Sequence, residues 1–219
     1  MLHFREELTE LQTKLLEMGA LVESAIHNSV LALVDRDEDR AKEVMWNEAL
    51  VNQKEIEIDE LATRMLALFQ PMARDLRFII SAIKISSDLE RVGDHAVNIA
   101  QSALRLAEMK SDITPDPEIE DMARRARAML ADALDAFVRA DGKLGREVCR
   151  RDDQVDALHD SLFRILLTHM LEDPSTISAA LELFLVSRNL ERVADLATNI
   201  GEDAVYLAEG KSIKHHRED

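Results

Sequence analysis

The chain has 219 residues with 43 acidic against 27 basic side chains, a net charge of -16, and it is 47% hydrophobic but only 4% aromatic. So negative a surface repels nucleic acid and anionic lipid headgroups and favours cations and basic protein surfaces as partners. No apolar run approaches the ~18 residues of a membrane span, MLHFREELTELQ lacks the apolar stretch of a signal peptide, and the single Cys149 forbids an intrachain disulfide; a cytoplasmic protein without direct membrane insertion is expected.

Leu8, Leu11, Leu15, Met18, Val22, Ile26, Val30 and Leu33 recur every three or four residues and predict a first helix over about 3–34, ended by the charged turn DRDED. A second helix resumes near Arg40 and runs through Val44, Val51, Ile58, Leu61, Met65 and Leu68 to Pro71, which ends it and opens a third over about 72–110. Pro115 and Pro117 mark a linker. Beyond it a fourth helix is expected over about 118–140, a turn at DGKLG (141–145), a fifth helix over about 146–171, and a sixth over about 174–209, capped by Asp173-Pro174 and stopped near Gly210. The tail 211–219, with His215-His216, reads as a disordered end.

The halves repeat each other. LERVGDHAVNI at 89–99 returns as LERVADLATNI at 190–200 with eight of eleven positions identical, and Val34, Glu43, Val44, Glu48 and Val51 map onto Val138, Glu147, Val148, Asp152 and Val155. The fold class expected is therefore all-α, two tandem three-helix bundles related by internal duplication, with a first domain over 1–112 and a second over 116–219, each burying its own core.

Each repeat places like charges side by side. Glu90, Asp94, Asn98 and Gln101 share one face of the third helix, and Glu191, Asp195, Asn199 and Glu202 share one face of the sixth. The preceding helices supply matching sets, Glu48, Asn52, Glu55 and Asp59 in the first half and Asp152, Asp156 and His159 in the second. Carboxylates four apart on a helix repel by about 0.2–0.5 kcal/mol per pair, so a duplicated arrangement of them calls for a cation. Antiparallel helices presenting such stripes converge four to six oxygen ligands, a set suited to hard or borderline divalent or trivalent metals. Solvated helix faces are the bland alternative for any one stripe; recurrence of the acid, acid, amide order while His95 drifts to Leu196 and Val97 to Thr198 favours metal.

Asp156-x-x-His159 resembles the Glu-x-x-His ligand pair of di-iron carboxylate bundles and opens an enzymatic alternative, although Glu55 stands at the equivalent first-half position. No nucleophile or Gly-rich phosphate cradle accompanies the carboxylates, so catalysis is not expected. His95 points about 100° away from Asp94 and is a poor ligand candidate. Arg91 and Arg192 are expected to pair with neighbouring helices, Trp46 and Tyr206 to lie in the core or its rim, and Cys149 to be a small buried apolar residue.

QPMARDLR at 70–77, DLERVGDHAVNIA at 88–100, MLEDPSTI at 170–177 and NLERVADLATNI at 189–200 together resemble the PhoU family of phosphate-uptake regulators, over essentially the whole chain. The resemblance implies multinuclear metal clusters, of iron, zinc, magnesium or manganese, on E/D-x-x-x-D motifs. These are Glu48-x-x-x-Asn52 with Glu90-x-x-x-Asp94, and Asp152-x-x-x-Asp156 with Glu191-x-x-x-Asp195. Asn52 leaves the first site one charge poorer, and weaker unless Glu55 or Asp59 compensates. The resemblance further implies negative regulation of phosphate-starvation signalling through the transporter ATPase PstB and the sensor histidine kinase PhoR, and is compatible with a homodimer. The alternatives are a di-metal carboxylate enzyme, an accessory of a different phosphate transporter, and a metal-free structural protein.

Overall fold

The computed structural model describes residues 2–109 and 113–213, so the reading of His215 and His216 lies outside the described residues. Six helices follow one another: α1 (Leu2–Asp35), α2 (Glu38–Phe69), α3 (Ala73–Glu108), α4 (Pro117–Arg139), α5 (Gly142–Glu172) and α6 (Ile177–Glu209), the last entered through a 3-10 turn at Pro174–Thr176. Among the described residues there is no strand. α1 to α3 pack as one three-helix bundle and α4 to α6 as a second. The predicted tandem bundles are the architecture found.

Aspartates set several of the helix starts. Asp37 accepts from the Arg40 amide at 3.0 Å, Asp116 from Glu118 at 2.8 Å, Asp141 from Leu144 at 3.0 Å and Asp173 from Ser175 at 2.9 Å. Each carboxylate satisfies an amide left without an intrahelical acceptor and faces the positive end of its helix. The Arg40 amide holds the Asp37 carboxyl below the usual range, and the hydroxyl and then the amide of Ser175 do the same for Asp173. At the other ends, Gln70, Ala140 and Gly210 close α2, α4 and α6 in the left-handed conformation, with φ of 48°, 52° and 71°.

The predicted stripe of α1 is the buried one, with Leu11, Leu15, Met18, Val22 and Ile26 all fully inaccessible. The two halves do not keep separate cores, however. α3 packs on α6 and α1 on α4, which joins the apolar interiors into one continuous cluster. Phe78 of α3 stacks on Phe137 of α4 with ring centroids 4.9 Å apart. Polar contacts cross the same junction: Arg105 grips Glu182 through two nitrogens at 2.8 and 2.9 Å, and Arg127 reaches Glu23 at 3.1 Å.

Two expectations need correction. DGKLG is no turn: Ala140 and Asp141 make the whole turn, and α5 already begins at Gly142. Its glycines serve helix packing instead. A Cβ on Gly145 would sit 2.6 Å from the carbonyl oxygen of Gly201, and one on Gly201 would sit 2.9 Å from that of Gly145, so α5 and α6 touch backbone to backbone there. Trp46 is neither core nor rim but 84% exposed, whereas Tyr206 is half-buried.

The glycine contact yields a stability prediction. Gly145→Ala forces backbone against methyl and should lower the unfolding free energy by about 1–3 kcal/mol, against alanine's better helix propensity of about 1 kcal/mol. Gly93→Ala, whose Cβ would meet side chains and no backbone, Val51 Cγ1 at 3.3 Å and Val22 Cγ1 at 3.8 Å, should cost less. Urea denaturation of both variants checks the order; a Gly145→Ala protein as stable as the parent contradicts it.

Candidate metal centres

The acidic stripes meet where the second and third helices of each half lie side by side. In the first half, α2 carries Glu48, Glu55 and Asp59, and α3 carries Glu90 and Asp94. Burial raises the proton affinity of Glu48, which its hydrogen bond to Asp94 and the charges of Asp94 and Glu90 raise further. Glu55 is raised by burial and by Asp59 and Asp94, and Glu90 by burial, Asp94 and Glu55; the Arg91 cation opposes both shifts. These five carboxyls form one repelling group.

The second half is more tightly drawn. Burial pushes the Asp152 carboxyl up to about 7, helped by Asp156, Asp195, Glu191 and Asp153. One of its oxygens, Oδ1, is buried without a hydrogen-bond partner. Asp156 is raised by burial and by Asp195, Asp153 and Asp160, with His159 opposing. Glu191 is raised by burial and by Asp195 and Asp156, while Arg192 and His159 oppose. Asp153 and Asp160 thus add field to this group although the stripe pattern did not single them out.

His159 is held in an orientation the sequence could not show. The Ser187 hydroxyl donates to the Phe184 carbonyl at 2.8 Å, so the His159 Nδ1, 3.0 Å from the same hydroxyl oxygen, is the donor of that pair. Nε2 is thereby the ring nitrogen left for an outside partner. The ring stacks on Phe184 at 5.3 Å, which fixes its plane.

Other candidates lie elsewhere. Asn52 is exposed and Asn199 half-buried, and neither makes a side-chain hydrogen bond among the described residues; the charge of Glu202 bears on Cys149. Half-burial, Glu202 and Asp152 push the Cys149 thiol up to about 11, which leaves it unreactive, in keeping with a packing role. His95 faces the α3/α6 junction, its Nδ1 2.8 Å from Asn189 Oδ1. Arg192 pairs within its own helix, with Asp195 at 2.8 Å and Glu191 at 3.5 Å, and Arg91 with Asp88 at 3.7 Å, so neither reaches the neighbouring helix as expected: spacings of one and three residues on α3 and α6 bring a partner closer than the next helix does. Among the described residues no three His, Cys, Asp or Glu side chains close around a single point at ligand distance.

The repeated three-helix unit is also what known proteins share with this chain. The PhoU domain profile matches it twice, over residues 15–103 and 119–204. The chain belongs to the PhoU family. It is 41% identical over 212 residues to the phosphate-specific transport system accessory protein PhoU homolog of Pseudomonas putida, covering 97% of this chain and 83% of that one. The crystal structure of PhoU from Pseudomonas aeruginosa superposes with a TM-score of 0.91 at 40% identity, covering 95% of this chain and all (100%) of that one. The phosphate transport system regulatory protein PhoU from Streptococcus pneumoniae gives a TM-score of 0.89 at 31% identity, covering 96% of this chain and 99% of that one.

The crowded carboxyls carry a pH prediction for metal-free protein. Folded Asp152 keeps its proton up to about pH 7, whereas its ordinary value is 3.8, so the folded state binds more protons than the unfolded one between those limits. Stability contributed in this way is full at low pH and is lost as pH rises through about 7; the other raised carboxyls act in the same direction. The melting temperature of metal-stripped protein should therefore fall from pH 5 to pH 8, and Asp152→Asn should flatten the fall. A melting temperature that rises over this range, or is untouched by the substitution, contradicts the reading.

Proposed function

We propose that the chain is a metal-binding adaptor on the cytoplasmic side of the membrane that restrains phosphate uptake and phosphate-starvation signalling by contacting the ATPase of the phosphate ABC transporter and a sensor histidine kinase. Membership of the PhoU family supports a regulatory role in phosphate transport, and relatives carry the names accessory and regulatory protein rather than the name of an enzyme. No helix among the described residues is long and apolar enough to cross a membrane, so any action there runs through membrane-bound partners.

The observation that carries the metal part of the proposal is the partnerless buried Oδ1 of Asp152 within a group of mutually repelling carboxyls. A cation is what such a group lacks. Asp152, Asp156, Glu191 and Asp195 would hold it with His159 Nε2 in the second half, and Glu48, Glu55, Asp59, Glu90 and Asp94 in the first. Oxygen-rich sets of this kind suit iron, magnesium or manganese, and the imidazole adds affinity for zinc in the second half alone. Bound there, a metal would supply charge neutralisation and a cross-link between α5 and α6, or between α2 and α3. In the first half, Glu55 and Asp59 supply the negative charge that Asn52 does not.

For partner contact, the same helix pairs end in apolar side chains open to solvent. Met72 is 80% exposed and Leu171 77%, continued along the helices by Leu76 and Ile80 and by Phe163 and Leu167. Apolar ends beside acidic seams suit partners that are both apolar and basic. Electrostatics would act chiefly on association rate, making such binding sensitive to salt.

Two experiments test the proposal. Elemental analysis of tag-free protein should find metal that falls in the Glu191→Ala, Asp195→Ala double variant but does not vanish, because the first-half group remains; unchanged metal content contradicts the assignment. Deleting the gene should leave phosphate-starvation reporters on in high phosphate. Reporters that stay repressed, while the purified metal-loaded chain hydrolyses a phosphate ester, would overturn the adaptor in favour of the di-metal enzyme.

A further inference from the structure

The junction between the two bundles holds a feature that the acidic seams do not explain. Between α3 and α6 lies an open cleft of about 380 Å³ lined by Arg105, Arg188 and Arg192 together with His95 and Asn98, and no carboxylate lines it. Three guanidinium groups therefore gather in a chain whose net charge is -16.

We propose that this cleft is a binding site for an oxyanion of the phosphate class. Arg188 makes no hydrogen bond or ion pair among the described residues, so its fork faces the cleft uncommitted. Arg105 is oriented by Glu182 at 2.8 and 2.9 Å and by Ser102 at 3.0 Å, contacts that engage Nε and Nη2 and leave Nη1. Arg192 spends Nη1 on Asp195 at 2.8 Å and turns Nε toward Glu191 at 3.5 Å, which leaves Nη2. Planar forks of this kind match the paired oxygens of a phosphoryl group, and several of them favour a multiply charged tetrahedral anion over a single carboxylate.

One neutral donor is set by an amide network. Asn189 Nδ2 donates to the Leu185 carbonyl at 2.7 Å, which assigns its Oδ1 as acceptor from His95 Nδ1 at 2.8 Å and from Asn98 Nδ2 at 3.4 Å. One Asn98 N–H is then spare beside the arginines. His95, its Nδ1–H committed to Asn189, serves to orient that amide.

A solvated surface would show the same chemistry wherever bundles meet, and it does not. The cleft between α1 and α4 is of similar size, about 400 Å³, and also contains two arginines, but Glu120 and Asp121 line it with them. There Asp121 takes Arg124 and Glu23 takes Arg127. At the α3/α6 cleft Glu182 and Asp195 likewise take Arg105 and Arg192, but Arg188 has no carboxylate partner among the described residues, so this cleft alone of the two holds an uncompensated cation for an anion to meet.

The test uses the full chain, stripped of metal on a chelating resin so that no phosphate can bind through an ion. Equilibrium dialysis with radiolabelled orthophosphate should show saturable binding, weakened about tenfold by Arg188→Ala, less by Arg188→Lys, and unaltered by Arg124→Ala in the other cleft. Arg188 is exposed, so its replacement leaves the fold intact, which circular dichroism verifies. Competition by pyrophosphate and ATP separates the sources: displacement only at concentrations above that of orthophosphate identifies the free anion as ligand, and displacement far below it identifies a phosphorylated metabolite, both within the proposed class. Absence of saturable binding of all three anions at millimolar concentration overturns the proposal. So does equal binding by the parent and Arg188→Ala, and so does an equal loss in Arg124→Ala, which would mark a general charge effect.

Discussion

Carboxylates held together against their own repulsion are the constraint on which the rest of this structure turns. On one helix the cost of an i, i+4 acidic pair is small. Here two helices bring their pairs face to face and partly bury them, and the proton affinity of every group with a resolved shift in the two seams rises, that of Asp152 to about 7. The fold tolerates this because the apolar interior behind the seams is continuous across both halves. Leu190, Val193 and Ala197 are buried one face round from Glu191 and Asp195, so the core fixes the helix rotation that presents the acids.

The two halves are related but not equivalent. Burial is deeper around Asp152 than around Glu48, and the second half replaces a carboxylate, Glu55 in the first, by His159 with its Ser187 and Phe184 supports. Ser86, the first-half counterpart of Ser187, donates to the Ile83 carbonyl at 2.8 Å in the same way, so the support was in place in both copies and only one copy uses it for an imidazole. The junction departs from symmetry too. His95 and Asn189 meet across it while their repeat partners are Leu196 and Asp88, and the asymmetry gathers arginines on one side of the α3/α6 crossing.

Most helix boundaries were legible from the sequence because their signals are local: the DRDED turn parts α1 from α2, Pro71 interrupts, Pro115 and Pro117 mark the linker, Asp173 caps and Gly210 stops. The acidic stripes were legible because helical spacing alone puts their members on one face, and the duplication marked them out from ordinary surface. Gly142 and Gly145 were misread because the same residue that breaks a helix also lets two helices touch, and the choice depends on Ala208 and Glu209 for the first and Gly201 for the second, all more than fifty residues away. Trp46 was misplaced because a lone aromatic on a helix says nothing about which side the third helix will cover. The Arg105 grip on Glu182 and the seating of His159 Nδ1 on Ser187 depend on tertiary neighbours, and no spacing rule reaches them.

In the function proposed above, a cation takes the place of protons among these carboxyls. Calorimetric titration of divalent metal into metal-free protein at pH 7, repeated in buffers of different ionisation enthalpy, reads that exchange directly. The apparent binding enthalpy should change with the buffer in the sense of net proton release, and the change should diminish in Asp152→Asn. Metal binding with no buffer dependence, or no metal binding at all, would contradict it.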